Sequence, residues 1–224
     1  LTPKRTLLSW SGGKDCAWAL HLLRQDPAYE VVGLLTTINE HFGRVAMHGF
    51  RESLLDLQGE AAGLPLWKVP LPWPCSNEVY EERMAEVCAR AVAEGVQVMA
   101  FGDLFLEDIR AYRLERLAGT GLEAVFPCWG LETAALAHQM VAAGVQAHLV
   151  CVDPKQLDKR FAGRAFDAEL LAELPAHVDP CGERGEFHSF VSGGPAFSVS
   201  IQVERGAVVE RDGFVYADLL AVAS

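Results

Sequence analysis

The stretch LLSWSGGKDCAWAL, residues 7–20, decides the reading of this chain. An apolar run breaks at Ser11, Gly12 and Gly13, Lys14 and Asp15 follow, and an Ala- and Leu-rich segment then takes helical spacing. The glycines permit a sharp turn that brings backbone N–H groups close to an anion. The N-terminus of the following helix points its own N–H groups and positive dipole end at the same spot. Lys14 adds a mobile positive charge. The turn is therefore read as a phosphate site. It is not a Walker A loop, which needs glycine where Leu8 stands and Ser or Thr where Asp15 stands. GTGLEA (119–124) matches a dinucleotide pattern on paper, but it follows a helix and precedes a strand, the reverse of the required order.

Outward from that turn, strands and helices alternate. RTLLSW (5–10) reads as a strand and Asp15–Arg24 as a helix. The β-branched run at 30–38 reads as a buried parallel strand, and residues 39–47 as a loop. His48–Ala62 has helical periodicity closed by Gly63. PLWKVPL (65–71) reads as a strand, 78–94 as a helix ended by Gly95, and 96–102 as a strand stopping at Gly102-Asp103. A helix (106–118) and a short strand entering a loop (123–129) follow. Five alternations predict a doubly wound, mostly parallel α/β sheet whose ligands bind beyond the carboxyl ends of the strands. Residues 1–128 form one expected domain, and 129–224 a smaller α/β lobe. That lobe reads as a helix (131–144), a strand (145–153), a charged loop, a short helix (167–174), a polar glycine-dense stretch (179–195) and a strand pair with turns at Arg205-Gly206 and Asp212-Gly213.

Of the 224 residues, 50% are hydrophobic and 22% charged, and the formal net charge is −11. An acidic balance weighs against a large nucleic-acid interface, which needs a basic footprint. No run of 18 apolar residues suggests a membrane span. LTPKRTLLSW carries no signal-peptide pattern, so a cytoplasmic location is the expectation. The six cysteines form no CxxC pair or common zinc spacing and read as buried reduced thiols.

A second cluster, DPCGERGEFHSFV (179–191), packs Asp179, Glu183, Glu186 and His188 among two glycines. Residue types alone leave it open between a solvated polar turn and a site that holds Mg2+, takes protons or orients an amine.

SGGKD, Ser11 to Asp15, resembles the PP-loop SGGxDS of the ATP pyrophosphatase superfamily, with Cys16 in the usual place of a serine. The second cluster resembles the DPCGExGEFHT signature of the diphthine–ammonia ligase family, with Ser189 for threonine. The same family's elements are resembled in order by MHGFRESLLDLQGEAAGLPL (47–66), FGDLFLEDIRAYR (101–113), PCWG (127–130) and VDPKQLDKRFAGRAFD (152–167). The resemblance covers nearly the whole chain.

It implies a Rossmann-like, HUP-type nucleotide-binding domain and an ATP-dependent amidation through an acyl-adenylate. ATP, Mg2+, ammonium and a carboxylate acceptor, protein-borne or small, would be the partners. By the resemblance, Ser11, Gly12, Gly13 and the Lys14 N–H would cradle pyrophosphate, with Lys14 countering its charge and Cys16 contributing its backbone N–H. Asp15 would hold Mg2+ or cap the helix. Leu35, Thr36 and Thr37 would lie near adenine. Asp103, after Gly102, would contact Mg2+ or ribose. His48, Arg51 and Arg110 would bind phosphate or the acceptor carboxylate. Glu183, Glu186 and His188, with Gly182 and Ser189, would line the acceptor and ammonia side, Glu186 or His188 taking the proton. Two rivals stand beside this reading. Another PP-loop chemistry, such as tRNA modification, would want a basic face and often paired catalytic cysteines. A nucleotide sensor would bind ATP without forming AMP.

Overall fold

The computed structural model describes residues 2–45 and 48–222. The first sheet holds five parallel strands, β1 (Lys4–Ser9), β2 (Tyr29–Asn39), β4 (Leu66–Leu71), β5 (Val98–Ala100) and β6 (Glu123–Val125), and one short antiparallel strand, β3 (Arg44–Val45). Spatially the parallel strands run β4-β2-β1-β5-β6. β1 is central and wholly buried at Thr6, Leu7 and Leu8, as an apolar strand covered on both faces must be. β1 and β4 both pair with Leu34 and Leu35 of β2, so they flank it on opposite edges; β3 pairs with Ile38 and Asn39, on β1's edge beyond the end of β1.

Helices α1 (Lys14–Gln25), α2 (Glu52–Ala62), α3 (Asn77–Ala93) and α4 (Glu107–Leu117) link these strands. The second sheet is antiparallel, in the order β8-β7-β10-β9, from β7 (Gln146–Val152), β8 (Phe187–Gly193), β9 (Val203–Arg211) and β10 (Phe214–Ala221). α5 (Thr133–Ala142) and α6 (Ala168–Glu173) accompany it. The larger core joins the two sheets: Leu8 and Ala100 from the first, Trp18 and Leu20 of α1, Leu54 of α2, and Phe190 and Val215 from the second. A smaller core lies on the other face of the first sheet, where Leu7, Trp67 and Met99 meet Cys88 and Ala91 of α3 and Leu117 of α4.

The doubly wound reading agrees with this architecture, and four local expectations change. The helix expected from His48 begins at Glu52, because Gly49 takes φ +71 beneath the Tyr216 ring and Arg51 is extended as the N-cap. Within the expected loop 39–47, Arg44–Val45 pairs with β2; Ala46 and Met47 lie outside the described residues. The glycine-dense stretch 179–195 contains β8, whose Phe187, Phe190 and Val191 enter the core. Arg205-Gly206 is no turn: it sits inside β9, where the pairing with β10 slips between Ala217 and Leu219, and an added side chain at Gly206 would press on Asp218. The turn at Asp212-Gly213 is present, Asp212 at φ 54 and Gly213 at φ 85.

Candidate functional site

A cavity of about 910 Å3 opens at the carboxyl ends of β1, β2 and β5. The glycine turn contributes Ser11, Lys14, Asp15 and Cys16 to its wall. Strand β2 adds Leu35, Thr36 and Thr37, and the end of β5 adds Gly102 and Asp103. His48 and the 179–191 segment complete it, with Gly182, Glu183, His188 and Ser189. Fourteen expected site residues, far apart in sequence, thus share one space. Gly12, Gly13, Arg51, Arg110 and Glu186 are not in its wall.

The glycine turn is laced to β8. The Val191 N–H donates to the Gly12 carbonyl (2.9 Å), and the Lys14 N–H donates to Ser189 Oγ (3.1 Å). The His48 Nδ1–H donates to the Ser189 carbonyl (2.9 Å), which fixes the tautomer and leaves Nε2 as the acceptor. Gln58 completes the lacing: its amide donates to the carbonyls of Gly12 (2.9 Å) and Val191 (2.7 Å), and its oxygen accepts from Trp10 Nε1 (2.9 Å). Gln58 is fully buried, yet all these groups are satisfied, as burial requires. Sequence reading missed it. The available signal was a polar residue on the apolar stripe of α2, between Leu54–Leu55 and Ala61–Ala62.

This lacing changes several expected roles. The Lys14 N–H, expected on pyrophosphate, is taken by Ser189, whose hydroxyl serves as an external cap because Gly13 has no side chain to cap α1. Gly12 has φ +77, and a Cβ there would lie 2.3 Å from Phe50 Cζ; its lack of a side chain serves the packing of Phe50 as well as the turn. A Cβ on Gly13 would lie 3.0 Å from His48 Cε1. At Gly102 a Cβ would come within 2.9 Å of the Cys16 nitrogen, so glycine there lets β5 end directly on the first turn of α1. The Cys16 thiol turns back to the Gly13 carbonyl (3.0 Å), and burial pushes its pKa up to about 11, so it is a neutral thiol.

The Lys14 side chain is only 1% exposed. Its ammonium donates to both Asp15 oxygens (3.0 and 2.9 Å) and to the Cys181 carbonyl, between the rings of Phe166 and Phe187 at 5.4 Å each. Burial opposes its charge, but Asp15 and its other neighbours outweigh that and raise its pKa. The expected free counter-charge is therefore a buried ammonium paired with a carboxylate that is 26% exposed at the cavity wall, and the expected Asp15 helix cap is absent among the described residues.

The 179–186 turn has two classes of carboxylate. Glu186 is buried and accepts from the N–H groups of Asp179 and Arg184 (2.9 Å each). Asp179 accepts from the Thr133 hydroxyl (2.7 Å) and the Cys181 N–H (2.9 Å). Both shape the turn, so the expected catalytic placing of Glu186 gives way to a structural one. Gly182 and Gly185 adopt positive φ within it. Glu183 alone projects into the cavity, with Oε1 accepting from the Leu104 N–H (2.8 Å) beyond β5. Burial, with Asp15 and Asp103 nearby, pushes its pKa up to about 7.

His48 and His188 lie with ring centroids 4.8 Å apart. Burial, aided by the neighbouring imidazole and Lys14, pushes the His48 pKa down to about 3; burial and Lys14 push His188 down to about 4. Both rings are neutral at physiological pH.

Two arginines fall elsewhere. Arg51 forms a bidentate pair with Asp218 of β10 (Nη2–Oδ2 2.6 Å, Nε–Oδ1 3.2 Å), and Arg44 joins the same carboxylate (3.2 Å). Arg110 stacks on Trp129 (4.7 Å) and Phe126 (5.5 Å), so two segments matched separately in the sequence meet there. One turn further along α4, Arg113 does line the cavity, with Nε 3.4 Å from Asp103 Oδ2 and its guanidinium over Phe101.

Thr36 and Thr37 occupy a notch in the sheet. The β1 edge of β2 is bonded up to Leu35, whose carbonyl accepts from Trp10 N–H (2.6 Å), and again from Ile38 by β3. Thr36 Oγ1 is buried and has no hydrogen-bond partner among the described residues. No group of three His, Cys, Asp or Glu side chains among them is arranged to hold a metal ion. Asp15, expected to do so, is already paired with Lys14. The set suits Mg2+ only as it arrives on a nucleotide, with one or two carboxylates completing a shell of phosphate oxygens and water.

A parallel sheet with a glycine turn and converging polar groups at its carboxyl edge defines an α/β nucleotide-binding domain. The model of the diphthamide synthase N-terminal domain matches residues 4–121, that of the diphthamide synthase C-terminal domain matches residues 132–217, and the chain belongs to this family. Among curated proteins it is similar to the diphthine–ammonia ligases of Bos taurus and Homo sapiens, each 26% identical over 239 residues, covering 92% of this chain and 85% of the relative. Both relatives carry a ligase name, which places the chain in a family of enzymes. No helix among the described residues is long and apolar enough to cross a membrane.

Proposed function

We propose that this protein adenylates an acceptor carboxylate with ATP and converts it to an amide with ammonia. One carboxylate oxygen attacks the α-phosphorus, the bond to the bridging oxygen breaks, and pyrophosphate leaves with the electron pair. Ammonia then adds to the acyl carbon, AMP departs with the attacking oxygen, and the nitrogen loses a proton. The observation that carries this reading is the direct bonding of the glycine turn to β8, which puts Glu183 and His188 in the same cavity as Ser11.

The residues divide the work by chemistry. Among the described residues the Ser11 hydroxyl makes only long contacts, to the Gly13 N–H (3.4 Å) and Cys16 Sγ (3.5 Å), and is available to phosphate. The Thr36–Thr37 notch offers backbone and hydroxyl groups to a purine edge. Asp103 would face the Mg2+ that accompanies ATP. A bound Mg2+ neutralises charge on the leaving pyrophosphate. Glu183 is the group suited to take the proton, because its pKa of about 7 lies near the working pH, whereas His188 is too weak a base and Glu186 is committed to the turn. The neutral His48 and His188 orient the adduct and add no competing charge.

A sensor that binds ATP without cleaving it draws support from the closed Lys14–Asp15 pair and the inward Cys16 thiol. Incubation with Mg-ATP, ammonium and the small-molecule and protein fractions of its own cells separates the two. AMP plus pyrophosphate, dependent on one fraction and lost in Glu183→Gln, is the expected result. Tight binding with no AMP in any fraction favours the sensor, and ADP plus phosphate overturns both.

A further inference from the structure

The cavity reaches beyond the glycine turn and the strand ends to residues of α3 and α4. About 910 Å3 lies near the upper end of the range for a single ligand. The extra space runs along the outer face of the first sheet, between α3 and α4 and over β5, walled by Met84, Cys88, Met99, Phe101, Ile109 and Leu117. The helices leave this slot open: α3, 17 residues long, buries only Cys88 and Ala91, and α4 buries only Leu117. Amphipathic helices ordinarily cover an apolar stripe; here part of each stripe faces empty space. Arg113 also lines this cavity, beside Asp103. Its Nε contact with Asp103 is long, and an arginine fork suits a carboxylate.

We propose that this slot binds the acceptor, and that the acceptor is a small carboxylate on a hydrocarbon or aromatic body. This rests on the adenylating reading of the site and names its substrate class. The carboxylate sits at Arg113, where the slot meets the strand-end site, and the apolar body lies against Met84, Met99 and Phe101. The purine goes elsewhere, to the Thr36–Thr37 notch, where the β2 edge left unbonded between Leu35 and Ile38 and the Thr36 hydroxyl, without a partner among the described residues, are open to it; the slot also carries polar side chains, Tyr80, Tyr112, Arg116 and Thr120 among them.

Calorimetry with butyrate, octanoate and phenylbutyrate, on protein saturated with the non-cleavable α,β-methylene-ATP, tests this. Octanoate and phenylbutyrate are expected to bind at least about tenfold tighter than butyrate, since each buried methylene adds favourable transfer energy. Ala85→Trp fills the slot from an exposed position on α3. It should weaken both by about tenfold or more, with an unchanged melting temperature and nucleotide affinity within about twofold. Arg113→Gln should abolish the preference for octanoate over octanol. Mutually exclusive binding of the ATP analogue and the carboxylates would assign the slot to the nucleotide and overturn the proposal. So would absent carboxylate binding, or carboxylate affinities indifferent to Ala85→Trp. Binding is read without turnover, so a failure to form AMP elsewhere is a separate result.

Discussion

The two faces of the first sheet are built to opposite tolerances. On the inner face, α1 and α2 are sealed by the second sheet, and β8 is bonded into the glycine turn through Gly12, Lys14, Ser189 and Gln58. On the outer face, α3 and α4 bury three residues between them and leave a slot. The tight face holds the chemical groups at fixed positions, as pre-organisation demands. The slack face has room for a ligand body. Substitutions should therefore cost stability on the first and little on the second.

The largest effect is expected at Lys14. Lys14→Met leaves Asp15 without its partner, and because that carboxylate is 26% exposed at the cavity wall the loss should lie near the lower end, about 3 kcal/mol, of the cost of breaking a buried pair. Urea unfolding should show that loss, together with loss of AMP formation. Next comes a pH effect at Glu183. Its folded pKa of about 7 lies above the ordinary 4.5, so the native state binds the extra proton, and the resulting stability is full below 4.5 and lost as pH rises through 7. Relative to Glu183→Gln, the wild type should lose stability across that window, by less than the about 3 kcal/mol of a fully buried group because Glu183 opens on the cavity. His48 and His188 act oppositely: their depressed pKa values give stability present above the ordinary 6.5 and lost as pH falls toward 4 and 3.

Ser189→Ala removes the external cap of α1 and should cost about 1 kcal/mol, with weaker ATP binding. Arg51→Ala breaks an ion pair whose arginine is 47% exposed, so about 0.5 kcal/mol and unchanged activity are expected. Met84→Ala gives the sharpest contrast between the faces. A methionine cut to alanine in a filled core costs about 2–5 kcal/mol, but Met84 already borders the slot and should cost under about 1. A loss of the usual core size at Met84 would break the comparison.

The parallel strands of the first sheet were legible because most were short apolar runs bounded by glycine or proline, as at Gly63 and Gly95; the two-residue β3, inside the expected loop, was not. It hid β8, whose Phe187–Gly193 run follows a turn so rich in glycine and charge that periodicity was lost. It also hid the Gly206 bulge, which resembles a turn until β10 is seen beside it. Within the site, residue type and motif brought Asp15, Asp103, Glu183 and His188 to one cavity. They could not separate Glu183 from Glu186, since only the fold turns one carboxylate into the cavity and the other onto two backbone N–H groups. Nor could they distinguish Arg110 from Arg113, one helical turn apart, or find Gln58, whose role lies in bonds to segments far along the chain.

The most direct test is isotopic. The pure protein would turn over Mg-ATP, saturating ammonium and the active cell fraction in water enriched in heavy oxygen, and the AMP would be weighed by mass spectrometry. Adenylation draws the new oxygen on AMP from the acceptor carboxylate, so AMP free of the heavy isotope is expected. AMP carrying it would mean that water attacks the α-phosphorus, and would contradict carboxylate activation at this site.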